Sequence, residues 1–75
     1  MIDPRTNPNM TIQDCRNAGY CVVGCRRRCS ELKLDFKKLL TEGFPVEAME
    51  KYPDQEIQRS LDVTRARLEK VANNG

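Results

Sequence analysis

The stretch TIQDCRNAGYCVVGCRRRCSELK, residues 11–33, decides the fold. Thr11 followed three residues later by Asp14 marks a helix N-terminus, because the hydroxyl and the carboxylate can each satisfy a backbone N–H that the first turn leaves without a partner. Met10 and Cys15 stand where a flanking apolar staple would sit. The helix opened there runs to Ala18 and stops at Gly19, since glycine readily takes the left-handed conformation that ends helices. A second helix follows from Cys21 to about Lys33, where Val22, Cys25, Cys29 and Leu32 recur three or four residues apart. Gly24 inside it costs about 1 kcal/mol relative to alanine and suits a close helix crossing.

Working outward, Asp35 caps a third helix, with Leu34 before it placed to pack on Leu39 and with Phe36, Leu39 and Leu40 as its apolar face. Gly43 closes that helix, Phe44 folds back on its last turn and Pro45 prevents continuation. A short fourth helix spans Val46 to Lys51 and breaks at Tyr52-Pro53, because a residue before proline avoids the helical region. The fifth runs from about Asp54 to Ala72. Ile57, Leu61, Thr64, Leu68 and Val71 recur there at coiled-coil spacing, and Arg65 and Glu69 are placed for a weak pair. Two heptads are too few for an independent coiled coil, so the seam is expected to pack on the other helices or, failing that, on a second copy in a homodimer.

The predicted fold is therefore all-α: four or five short helices, with a longer C-terminal helix packed on a compact N-terminal unit. Residues 1–10, with Pro4, Pro8, Asn7 and Asn9 and no apolar period, read as a flexible tail. Residues 11–72 form one domain, and 73–75 fray. The expected core is Ile12, Cys15, Tyr20, Cys21, Cys25, Cys29, Leu32, Leu34, Phe36, Leu39, Leu40, Phe44, Met49, Ile57, Leu61 and Leu68.

At 75 residues the chain is one small domain, of a size that often leans on a staple, a metal or a partner. Its 39% hydrophobic and 32% charged residues suit a globular chain. No apolar run approaches the roughly 20 residues that cross a bilayer, and residues 1–9 lack the apolar segment of a secretion signal. The expectation is a soluble, cytoplasmic protein that does not enter a membrane. The absence of His removes the usual general acid–base group and the usual metal-binding ring near neutral pH. The protein is expected not to be an enzyme and to use no cofactor.

Net charge is only +2, but it is unevenly spread. Residues 16–38 carry Arg16, Arg26, Arg27, Arg28, Lys33, Lys37 and Lys38 against Glu31 and Asp35, whereas residues 39–75 are mildly acidic. Those seven cations are the candidate macromolecule-binding residues, although two ordinary solvated faces would give the same pattern.

The four cysteines, at 15, 21, 25 and 29, admit three readings. A shared zinc or iron–sulfur site needs four thiolates around one centre, yet Cys21 and Cys29 on one helix lie about 12 Å apart along its axis. A disulfide needs Cβ atoms about 3.8 Å apart, closer than positions four apart on a helix allow. Cys15 could still reach the second helix across a sharp turn. The third reading, free buried thiols forming the core face of the second helix, is the one expected here. No metal ligand is assigned.

Residues 11–30 also bear comparison with a DNA-binding helix-turn-helix. Such a unit has a small residue in its first helix, a glycine in the turn and an apolar anchor in its second helix. Cys15, Gly19-Tyr20 and Cys25 stand at suitable offsets. Arg26, Arg27 and Arg28 would then be presented to phosphates or guanine edges. Against this, the Gln, Asn, Ser and Thr common on base-reading helices are scarce.

Thr11-Ile12-Gln13-Asp14-Cys15-Arg16, Ala18-Gly19-Tyr20-Cys21, Gly24, Arg26-Arg27, Leu34-Asp35-Phe36, Leu40, Glu42-Gly43, Pro45 and Glu47-Ala48 together resemble a family of small uncharacterised helical proteins encoded by bacteriophages and prophages. The resemblance covers about residues 11–49. It implies a phage context, in a bacterial host cell or associated with the virion, and little chemistry. Members generally lack the cysteines at 25 and 29, which speaks against a family-wide metal site. The expected function is a non-enzymatic protein that binds another protein, as a virion-assembly accessory or an inhibitor of a host or defence protein. The alternative is a helix-turn-helix-like DNA-binding regulator using Arg26, Arg27 and Arg28.

Overall fold

The computed structural model describes residues 6–74, with side chains through residue 71. Five helices follow in order: α1 (Ile12–Asn17), α2 (Val22–Glu31), α3 (Phe36–Thr41), α4 (Val46–Met49) and α5 (Gln55–Asn74). The all-α architecture expected from sequence is the one observed, with the longest helix, α5, packed along α1 and touching α4.

Local chemistry sets the boundaries. At α1 the Thr11 hydroxyl accepts from the Asp14 N–H and the Asp14 carboxylate accepts from the Thr11 N–H, a reciprocal capping box. Gly19 ends the helix at φ +102°, and the N–H groups of Gly19 and Tyr20 bond back to the carbonyls of Arg16 and Cys15. The same two-bond closure ends α2, where the N–H groups of Lys33 and Leu34 reach Ser30 and Cys29. Here a lysine holds the left-handed position, at φ 59°. Asp35 caps α3 as expected, and Gly43 follows it at φ +82°.

The core is Met10, Cys15, Cys25, Cys29, Leu39, Phe44, Met49, Ile57 and Leu61. Burying side chains such as Ile57 and Leu61 contributes about 1.5–3 kcal/mol each. Ile12, Tyr20, Leu32, Leu34 and Phe36 pack half-buried around it.

Three expected core residues lie outside the core: Cys21, Leu40 and Leu68, the last half-buried on α5. Cys21 is exposed because α2 begins one residue later than anticipated. Cys21 is its N-cap in extended conformation, off the helical stripe, with its thiol accepting from the Gly24 N–H. Leu40 is 50% exposed, because Leu39 takes the inward position of the short α3 and its neighbour is rotated about 100° away. Arg65 pairs with Glu50 at 2.9 Å and Asp62 at 3.4 Å rather than with Glu69.

The expected flexible tail also differs. Residues 1–5 lie outside the described residues, as does Gly75, while α5 continues to Asn74. Asn7 and Met10 are buried. Met10 forms an isolated antiparallel bridge with Phe44, its N–H and carbonyl both bonded (2.8 and 2.9 Å). The side-chain amides of Asn7 and Asn9 both donate to the Glu42 carbonyl at 3.1 Å.

What locks this segment is a buried polar cluster. Arg67 of α5 grips Asp14 of α1 through Nε and Nη2, both at 2.9 Å, and donates to the carbonyls of Asn7 (2.8 Å) and Asn9 (2.9 Å). Thr64 donates its hydroxyl to Asp14 Oδ2 at 2.7 Å. Burial alone would push the Asp14 carboxyl up. The bonds from Arg67, Thr11 and Thr64 outweigh that and hold it below the ordinary carboxylate range. Among the described residues no buried side-chain polar atom lacks a partner.

Candidate macromolecule-binding surface

The seven cations singled out from sequence divide into two sets. Arg28 is spent within the fold. Its guanidinium bonds both oxygens of Asp54 at 2.8 Å and reaches Glu31 at 3.3 Å. The bond to Asp54 raises the guanidinium's already high pKa, and the same bond lowers that of Asp54. Arg28 therefore ties α2 to the start of α5, so its charge, unlike that of the other six, is already paired.

Arg16, Arg26, Arg27, Lys33, Lys37 and Lys38 are all exposed. None of the six forms an ion pair with a carboxylate among the described residues. They lie on the last turn of α1, the middle of α2, the turn that follows α2 (Lys33) and the start of α3. The two carboxylates in this part of the chain are already engaged, Glu31 with Arg28 and Asp35 with the α3 N-terminus. A positive field is thus left facing solvent. Lys33 stands in a backbone conformation that glycine would relax, and a left-handed L-residue costs about 1–2 kcal/mol.

The helices carrying these cations meet through a tight turn. Cys15 of α1 and Cys25 of α2 are both buried, with Gly19 in its left-handed turn between them. Cys25 and Cys29 mark the inner side of α2. Val23, Arg26, Arg27 and Ser30, three or four residues apart, are all exposed on its other side. Val22 (40%), Val23 (70%) and Leu40 (50%) are the large hydrophobic side chains left exposed among the described residues.

The three buried thiols do not supply a reactive centre. All four are free. Burial pushes Cys15, Cys25 and Cys29 up, Cys25 to about 12, so they stay protonated near neutral pH. Among the described residues no group of three or more Cys, Asp or Glu is arranged to hold a metal ion. A partly open cavity beside Met10, Cys15, Cys25 and Leu39 holds about 30 Å³, far below the several hundred of small-molecule sites. A second depression of about 310 Å³, beside Ala48, Lys51 and Tyr52, is open surface with no converging polar groups. No helix among the described residues is long and apolar enough to cross a membrane.

Comparison with family models, with curated proteins and with solved structures finds no match to this chain. Its surface is read from its own chemistry.

Proposed function

We propose that this chain is a small non-catalytic binding module whose α1–turn–α2 unit docks on duplex DNA. The observation that carries this reading is the geometry of residues 11–30. A buried small side chain in each helix packs α1 on α2 across a left-handed glycine, and the exposed Arg26 and Arg27, in no ion pair among the described residues, stand on the side of α2 away from Cys25 and Cys29. An α-helix so presented fits the major groove, and flanking cations neutralise phosphates. From sequence alone a protein partner stood first; the left-handed turn and the buried Cys15 and Cys25 favour DNA. Arg28 plays no part in the contact.

The test is fluorescence anisotropy with a labelled duplex across a salt series. Affinity falls with salt at about −0.9 per phosphate neutralised, so engagement of all six cations gives a slope near −5. Arg27→Ala reduces that slope by about 0.9. Absence of any binding at about 50 mM salt removes the proposal.

A second reading, a protein partner with an acidic surface, is favoured by Val22, Val23 and Leu40, which leave apolar surface exposed on the helices that carry the cations. A virion-assembly accessory or an inhibitor of a host protein would act this way, whereas the α5 seam of Ile57, Leu61 and Thr64 is buried within the chain and is not free to pair with a second copy. Pull-down from a host lysate combined with size-exclusion chromatography addresses it. A strict monomer that retains no protein removes it.

A further inference from the structure

We infer that Val22 and Val23 are specificity-determining residues that select the 5-methyl group of thymine in the major groove. The inference rests on the duplex-DNA reading of the same surface and adds to it what that surface reads. α2 opens with two consecutive β-branched side chains that face solvent, Val22 at 40% and Val23 at 70% exposure. Valine is a mediocre helix former, losing side-chain freedom against the preceding turn, and at such exposure Val23 gains little from the core. One turn later on the same side stand Arg26 and Arg27. The outward side of α2 therefore begins with Val23, with Val22 at its edge beside the buried stripe, and continues into the cationic middle.

That order matches a groove. The phosphate walls are anionic and the floor is lined by base edges. Among those edges thymine alone of the ordinary bases offers a methyl group, which apolar side chains recognise by contact. α2 carries no Asn or Gln, the side chains that read adenine by paired hydrogen bonds. Its leading turn can discriminate by methyl contact, while its arginines grip phosphate or guanine. Arg26 and Arg27, exposed and in no ion pair among the described residues, supply on this side of α2 the charge complementarity that favours an anionic duplex over an acid-poor apolar surface.

The experiment compares a duplex of alternating dA and dT with one of identical sequence in which deoxyuridine replaces every thymidine, removing only the methyl groups. The full chain and its Val23→Ala, Val22→Ala and Arg27→Ala variants are titrated onto both at low salt. The expected result is a thymine preference of about fourfold for each methyl group buried. Val23→Ala and Val22→Ala should each shrink it toward unity. Arg27→Ala should weaken both duplexes alike and leave the ratio unchanged. Equal affinity of the full chain for the two duplexes overturns the methyl contact while the DNA reading stands. So does a preference that survives both valine substitutions. Failure to bind either duplex overturns the DNA reading itself and this inference with it.

Discussion

Removing the Arg67 guanidinium should be the most damaging single change to a charged side chain in this fold. The Asp14 side chain is 1% exposed and that of Arg67 17%. Four Arg67 bonds of 2.8–2.9 Å join α5 to α1 and to the carbonyls of Asn7 and Asn9. Arg67→Ala leaves a carboxylate in the interior without its counter-charge, and breaking a buried pair from one side costs about 3–5 kcal/mol. A chain of 75 residues has a total stability of about 4–11 kcal/mol, so the variant should be close to unfolded at pH 7. Urea titration followed by circular dichroism measures the loss.

The pH dependence gives a sharper signature. In the native protein the Asp14 carboxyl is held below its ordinary value. Its contribution is complete above the unfolded pKa of about 3.9 and is lost as pH falls through the folded one. In Arg67→Ala, burial is opposed only by Thr11 and Thr64, so the carboxyl rises and its protonation on acidification relieves the variant. The gap between the two proteins should therefore narrow from pH 7 to pH 4. A loss under about 1 kcal/mol at pH 7, the scale of an exposed pair, would refute the reasoning, as would a gap that does not narrow.

Other outcomes follow from the same structure. Lys33→Gly should stabilise the fold by about 0.5–1 kcal/mol, relief of the left-handed backbone being partly offset by a freer unfolded chain; the same variant should lower the salt slope of DNA binding by about 0.9. Gly43→Ala should cost about 2 kcal/mol or more, since its Cβ would meet the Met10 carbonyl oxygen at 2.7 Å as well as take a left-handed φ. Gly19→Ala, with nothing within 4 Å of the added carbon, should cost only the backbone strain in the same urea assay. A thiol reagent should label Cys21 in the folded protein and reach Cys15, Cys25 and Cys29 only on unfolding. Because burial raises the folded thiols, Cys25 to about 12, stability should fall as pH climbs above about 9, by up to about 1.4 kcal/mol per pH unit for each thiol.

The parts of this fold legible in the sequence are those written within a few residues. Thr11 with Asp14, Gly19, Asp35 and Gly43 act through bonds inside one turn, and the helices begin and end close to where they say. The burial of Cys25 and Cys29 follows from a helical period. Cys21 did not follow, because a helix that starts one residue later turns a core position into a cap. Leu40 did not follow either, because in a helix as short as α3 only Leu39 reaches the core; other misreadings concern partners far along the chain. Asn7 bonds a carbonyl 35 residues away and Arg67 one 60 residues away, and neither has a local mark. Arg28 looked like one more member of a basic run, and only the tertiary structure shows that Asp54 takes it. In the candidate surface, six of seven cations are exposed and form no ion pair among the described residues, while Val22, which the helical period grouped with Cys25 and Cys29, is 40% exposed at the first turn of α2.

The cluster around Asp14 has a consequence for how the chain folds as it leaves the ribosome. Helices α1 to α3 emerge first, with the Asp14 carboxylate ready to be buried and its guanidinium 53 residues downstream. Domains fold as synthesis proceeds only when their contacts have emerged. Here the decisive contact belongs to the middle of α5. A nascent chain halted before Arg67 should therefore stay open and sensitive to proteases. Release of the arginine should close α1, α5 and the segment around Asn7 in one step.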